Sequence, residues 1–124
     1  MNLNPVLEVE ASIGGEAGEA KPLGGQVFYV MEESPAGILS ANDLTSEIAF
    51  ARVMNALRNL AIRFFITDSE GKAEIKQLKT GVYFICGINH ARQGIRVWDI
   101  EIELLPGRNE LALNGGNVTG NHKI

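Results

Sequence analysis

Asp99, Glu101 and Glu103 stand two residues apart in "RVWDIEIEL", a spacing that puts all three carboxylates on one face of a strand. Carboxylates grouped this way hold a hard cation or divide acid and base duties between them. The same row is also the wet side of an amphipathic strand, answered by lysines such as Lys72 and Lys76 on a neighbour, and that is the simpler reading. Cys86 is the only cysteine, so neither an intrachain disulfide nor a multi-cysteine metal site can form. A nucleophilic thiol needs a base beside it, and only His90 and His122 are available. With Phe84, Ile85 and Ile88 around it, Cys86 reads as a buried, inert thiol.

Other short patterns also resolve into structure. "DSEG" (68–71) has two acids before a glycine but lacks the rest of a calcium loop, so it reads as a turn. The glycines of "GGEAGEAKPLGG" and "NGGNVTG" do not lead from a strand into a helix, and no lysine follows at the spacing that phosphate binding requires. Asn117-Val118-Thr119 matches the glycosylation acceptor pattern, which is short and common. Trp98 shares its phase with Ile100 and Ile102 and therefore belongs to the core rather than to a sugar or peptide platform. No catalytic residue, metal ligand or cofactor site is assigned from these patterns.

The elements that must carry these residues are mostly strands. Leu7, Val9, Ala11 and Ile13 alternate with Glu8, Glu10 and Ser12, the signature of a half-buried strand. Gly14–Gly25 reads as an exposed loop, and "QVFYVM" and "VYFICGI" are apolar on both faces, as interior strands are. Ile62–Thr67 puts Phe64 and Ile66 on one face and Phe65 on the other; "DSEG" then turns the chain into a strand with Ala73 and Ile75 inward, so a hairpin is expected. His90–Gly94 reads as a polar loop, and "ELAL" as a last short strand. Between Asp43 and Leu60 the period changes: Phe50, Val53, Leu57 and Leu60 recur at helical spacing, with Asn42 or Asp43 placed to cap the first turn.

About seven strands and one helix predict a mainly β fold, an immunoglobulin-like antiparallel β-sandwich with the amphipathic helix packed on a sheet. The helix is expected to cover Phe65, Tyr83 and Ile85. Residues 1–114 are expected to form one domain with the helical insertion at about 43–60, and 115–124 a flexible tail.

"GEAKPLGGQVFYV" and "TDSEGKAEIKQLKTGVYFI" together resemble the carboxypeptidase regulatory-like domain, a transthyretin-like (prealbumin-like) β-sandwich. The matching positions are Gly18, Pro22-Leu23-Gly24, Val27, Thr67-Asp68, Gly71, Leu78, Gly81 and Tyr83. The likeness covers most of the chain apart from the segment 34–61, where a helical excursion replaces a short connection. It implies a noncatalytic structural or interaction module, an accessory domain of a larger bacterial protein or envelope assembly, and an extracytoplasmic location. The alternative within the same fold is a small-molecule binding protein or hydrolase working at an oligomer interface. The Tyr-Arg-Gly-Ser ending of the transthyretin-like hydrolases is absent from Gly120–Ile124. The two tyrosines and two histidines of an intradiol iron site are matched in number by Tyr29, Tyr83, His90 and His122, but not in spacing.

A formal charge of −4 with scattered basic residues argues against nucleic acid as a partner. No apolar run is long enough for a membrane-spanning helix, and Met1–Ser12 lacks the features of a signal peptide. Protein partners or adjoining domains are expected, with a homo-oligomer as one form of that contact. The candidate surface is Leu44 with Ile48, which fall outside the main helical stripe. Contact with Ile38-Leu39 is the competing expectation for both.

Overall fold

A computed structural model describes residues 4–14, 20–91 and 94–122. Among the described residues nine strands and two helices follow one another as β1 (Val6–Gly14), β2 (Ala20–Pro22), β3 (Val27–Met31), α1 (Ala36–Ser40), α2 (Glu47–Leu60), β4 (Arg63–Ile66), β5 (Lys72–Ile75), β6 (Gly81–Ala91), β7 (Gly94–Leu104), β8 (Arg108–Leu113) and β9 (Gly120–His122). They form a β-sandwich. In one sheet β1 lies between β5 and β8 and its far end pairs with β2; the other has the order β4-β3-β6-β7-β9. Every pairing is antiparallel except that of β1 with β8, which run parallel over Val6–Ala11 and Arg108–Leu113.

The inter-sheet core is built from one parity of each strand: Leu7, Val9 and Ala11 of β1, Phe28 and Val30 of β3, Tyr83 and Ile85 of β6, Trp98 and Leu104 of β7. A cross-strand row runs through its centre, Phe65 beside Phe28, Phe28 beside Gly87, Gly87 beside Trp98. The Phe28 ring stacks on Phe65 at 5.4 Å and meets Trp98 edge-on at 5.7 Å. It lies over Gly87, where any Cβ would collide with it. Trp98 is fully buried, and its indole N–H donates to the Asn114 carbonyl at 3.0 Å.

The other parity of β3, β6 and β7 supplies a second core beneath the helices, with Tyr29, Met31, Cys86, Ile88, Ile95 and Val97 packing against Leu39, Val53 and Leu57. The expected cover for Phe65, Tyr83 and Ile85 is therefore corrected: these three face the opposite sheet, and α2 covers the reverse side. Strands apolar on both faces announce two buried sides without saying which layer lies on which. Val53 and Leu57 are buried as the helical period requires, Phe50 is half-buried, and Leu60 is 56% exposed at the end of the helix.

The helix also begins later than Asp43. The Asp43 carboxylate accepts from the backbone N–H (3.0 Å) and hydroxyl (2.6 Å) of Thr45, forming a side-chain-closed turn. Ser46 then takes the cap, its hydroxyl oxygen accepting from the Ala49 N–H at 3.4 Å. Glu47 in the first turn and Arg58 in the last complement the helix dipole.

The loop motifs act as clamps. Asp68 accepts backbone N–H bonds from Glu70 and Lys72, both at 2.9 Å, and Gly71 takes φ +78°. Thr67 is buried, its hydroxyl donating to the Leu23 carbonyl (2.6 Å) while accepting from the Gln26 N–H (3.0 Å). Gly18 of the resemblance lies outside the described residues. The expected hairpin around "DSEG" is corrected: β4 pairs with β3 and β5 with β1, so this turn passes the chain from one sheet to the other. Within the expected loop at His90–Gly94, β6 and β7 stay paired as far as Ala91 and Gly94, and residues 92–93 lie outside the described residues. Within Gly14–Gly25, residues 20–22 pair with the end of β1.

Over its described part the C-terminal segment runs along β7. β9 pairs with Ile95–Val97, the Thr119 N–H donates to the Val97 carbonyl at 2.7 Å, and the Asp99 N–H donates to the Thr119 hydroxyl at 2.9 Å. Both ends of the Asn117 amide are engaged, Nδ2 donating to the Ala112 carbonyl (2.6 Å) and Oδ1 accepting from the Asn114 N–H (2.8 Å). The acceptor-pattern asparagine thus holds the turn that lets the chain return along β7.

Candidate interaction surface

The residues with chemical potential are dispersed. Asp99 Oδ2 accepts from the Ser34 hydroxyl at 2.9 Å, fastening the start of the helical excursion to β7; Glu101 and Glu103 continue that row into solvent. Lys72 and Lys76 do not answer them. Both belong to the opposite sheet's side of the molecule and pair locally, Lys72 with Glu70 (3.8 Å) and Lys76 with Glu74 (3.1 Å). His90 is an exposed strand residue opposite Ile95, its ring edge-on to Phe50 at 5.2 Å. The side chain of His122 lies outside the described residues.

Cys86 is fully buried beneath the helices, where burial, with a smaller contribution from the charge of Asp99, pushes its thiol up to about 12. Such a group stays protonated at neutral pH and is a poor nucleophile. Among the described residues, no three His, Cys, Asp or Glu side chains are arranged to hold a metal ion.

A second acidic row was not foreseen. On the outer face of the first sheet Glu74, Glu8 and Glu110 lie side by side across β5, β1 and β8. Like charges directly opposite one another are unfavourable, and Arg108 offsets them through a 2.7 Å ion pair with Glu8. The hydrogen bond that the guanidinium donates to Glu8, then the charge of Glu8, then those of Glu110 and Glu74 push Arg108 above its ordinary value. The shallow concavity here, about 690 Å³, has no aromatic residue in its lining.

Leu44 is corrected as a surface residue. The Asp43–Thr45 turn drops it inward, and at 1% exposure it joins Ile38, Leu39, Val53 and Leu57 in the second core. Ile48 projects as expected, 68% exposed on the first turn of α2.

The more extensive apolar surface lies elsewhere, at the junction of α2 and β4. Leu60, Ile62, Phe64 and Ile66 are 56%, 42%, 61% and 54% exposed. Leu60 and Ile62 share a concavity of about 440 Å³ with Met31, Pro35 and Ile38, beside the acidic pair Glu32-Glu33. Phe64 and Ile66 stand opposite Tyr29 and Val27, on the helix side of the sheet, so the strip flanks α2. β4 is an end strand: among the described residues it pairs only with β3. The Thr67 N–H donates to the Gln26 carbonyl, which fixes the antiparallel alternation. The backbone groups of Arg63 and Phe65 consequently face β3, and those of Phe64 and Ile66 face away from the sheet. An apolar, open edge of this kind is a template for another strand. The signal for it in the sequence is the alternation of Leu60, Ile62, Phe64 and Ile66, which continues a helical stripe into a strand whose other face carries Arg63 beside Phe65.

No protein-family model matches the chain. No curated protein matches it either. Its solved structural neighbours include the minor pilin GBS52 of the gram-positive pathogen Streptococcus agalactiae, at TM-score 0.59 and 15% identity, covering 100% of this chain and 46% of that one. This chain therefore spans less than half of the pilin's length. A candidate carbohydrate-binding protein of Pseudomonas aeruginosa is similar at TM-score 0.52 and 10% identity, with 91% and 89% covered. At these identities the likeness concerns the fold, and the fold is an immunoglobulin-like β-sandwich carrying a helical layer on one sheet.

Proposed function

We propose that this chain is a noncatalytic structural module of the carboxypeptidase regulatory-like type, which makes protein contacts within a larger extracytoplasmic assembly through the open edge of β4 and its apolar strip. The observation that carries the reading is the run Leu60, Ile62, Phe64, Ile66, four large apolar side chains left in water from the end of α2 into the end strand β4, where the backbone groups of Phe64 and Ile66 have no partner strand among the described residues. Soluble proteins ordinarily blunt such edges with charge or proline. A minor pilin among the structural neighbours fits a part in protein assembly. The competing reading as a small-molecule enzyme calls for His90 and an acid in one cleft, whereas His90 lies against Phe50 and Asp99 against Ser34.

A photo-reactive amino acid placed at Phe64, with Glu103 as a solvent-facing control, tests this in the cells of origin. Covalent adducts to protein at position 64 and few at position 103 are expected. Equal labelling at both positions, or no protein adduct at 64, would refute the reading.

A further inference from the structure

We infer that the strand seated on β4 is β4 of a second copy of this chain, paired antiparallel about a two-fold axis at Phe64; the inference rests on the reading of β4 as a contact edge. The first reason is the arrangement of side chains. On the exposed face the order Ile62, Phe64, Ile66 is the same in both directions, and a two-fold contact requires a patch that matches itself. An axis through Phe64 sets that ring beside its copy and each Ile62 beside an Ile66.

The second reason is the backbone. Residues 64 and 66 have their N–H and C=O groups directed away from β3, so an axis at Phe64 makes it a hydrogen-bonded pair with its copy, the phase an added antiparallel strand requires; the Ile62 N–H donates to the Val30 carbonyl at 2.9 Å, so the flanking Ile62–Ile66 pairs contribute side-chain contact without that donor. A register centred one residue away, on Phe65, would align groups already engaged with β3.

Charge favours the same occupant. The exposed face of this stretch has no ionisable side chain. Arg63, on the other parity, has its guanidinium donating to the Lys76 carbonyl at 3.1 Å, and the axis at Phe64 places it across from Phe65 rather than from its own copy. No like charges are therefore set opposite one another. The end strands of the other sheet, β5 and β8, are different: Lys72 and Glu74 stand on the outer face of one, Arg108 and Glu110 on that of the other. Two five-stranded sheets would thus become one continuous sheet, with α2 of each copy on the same side of the join.

The test is sedimentation velocity with three variants. Wild type is expected to run as a dimer, Phe64→Glu as a folded monomer whose melting temperature matches that of wild type only under dilution that dissociates the dimer, because Phe64 is largely exposed in the single chain, and Ile48→Glu as a dimer. Phe64→Cys should form an intermolecular disulfide under mild oxidation, since paired Cα atoms in such a ladder lie about 5.5 Å apart, within bridging range. Cys86 is buried and does not compete. The cysteine variant also keeps the test decisive if the glutamate variant fails to fold. A wild-type monomer at about 1 mM, where even a millimolar Kd leaves substantial dimer, would overturn the inference. So would a dimer broken by Ile48→Glu and not by Phe64→Glu, or a Phe64→Cys protein that remains unbridged. If the photo-adduct at position 64 is to a different protein while wild type is monomeric, the contact-edge reading stands and the two-fold pairing falls; if there is no adduct to any protein, both fall.

Discussion

Replacing Leu57 by alanine is the sharpest test of the helical layer. Leu57 has no solvent exposure, and its side chain sits in the cluster that joins α2 to Met31, Cys86 and Val97. Losing the outer carbons forfeits about 2 kcal/mol of transfer free energy. The space left behind adds to this, and measured losses for such truncations run from about 2 to 5 kcal/mol. Because α2 packs on one sheet face and is open on the other, it is able to settle partly into the gap, which places the expected loss at about 3 kcal/mol. Urea denaturation measures this directly. Cys86 supplies a second readout, since the thiol lies beneath the helices and is labelled only when that layer opens. A 3 kcal/mol destabilisation of the layer raises the open population, and with it the labelling rate by an aromatic disulfide reagent, by about a hundredfold. Leu60→Ala is the control, since a residue 56% exposed should change stability by no more than about 0.5 kcal/mol. Equal losses for the two variants, or Cys86 labelling unaffected by Leu57→Ala, would refute the assignment of the helix face.

The raised pKa of Cys86 predicts a loss of stability in alkali. Below the ordinary thiol value of 9.0 the folded and unfolded states are both protonated; above it the unfolded chain ionises first, so stability falls progressively towards pH 12, by about 2 kcal/mol at pH 10.5. Cys86→Ala should lack that component when the two proteins are compared by denaturation across the same range, and identical pH profiles would contradict it. Gly87→Ala should cost about 1–3 kcal/mol, because the new methyl group drives into the Phe28 ring and displaces it from Trp98. Calorimetry together with a shifted Trp98 emission spectrum is the expected result, and an unchanged melting temperature would show that the row across β4, β3, β6 and β7 is not closely packed there.

Much of the frame is legible in the order of residues because its signals are local. The alternation of Leu7, Val9 and Ala11, the inward phase of Trp98, and the glycine at the end of Thr67–Gly71 each depend on only a few neighbours. The features that the order of residues does not carry are non-local. Nothing within "DSEG" says that β4 and β5 join different sheets, and a one-residue choice of parity decides whether Tyr83 or Cys86 lies under the helices. Leu44 falls on the exposed side when its phase is counted from a helix starting at Asp43; the turn closed by Thr45 resets that count. The contact surface was hidden for the same reason. Phe64 and Ile66 share a face in any strand, but whether that face is covered depends on β4 being an end strand, which is a property of the assembled sheet.

The parallel pairing of β1 with β8 has a mechanical consequence. Six residue pairs, from Val6 beside Arg108 to Ala11 beside Leu113, link two strands whose outer ends, Val6 and Leu113, lie at opposite poles of the sheet. Tension applied between those two residues would load the connecting bonds in shear, all sharing the force at once, instead of peeling them apart singly like a zip. That geometry gives the sheet its greatest resistance along the line between the two poles.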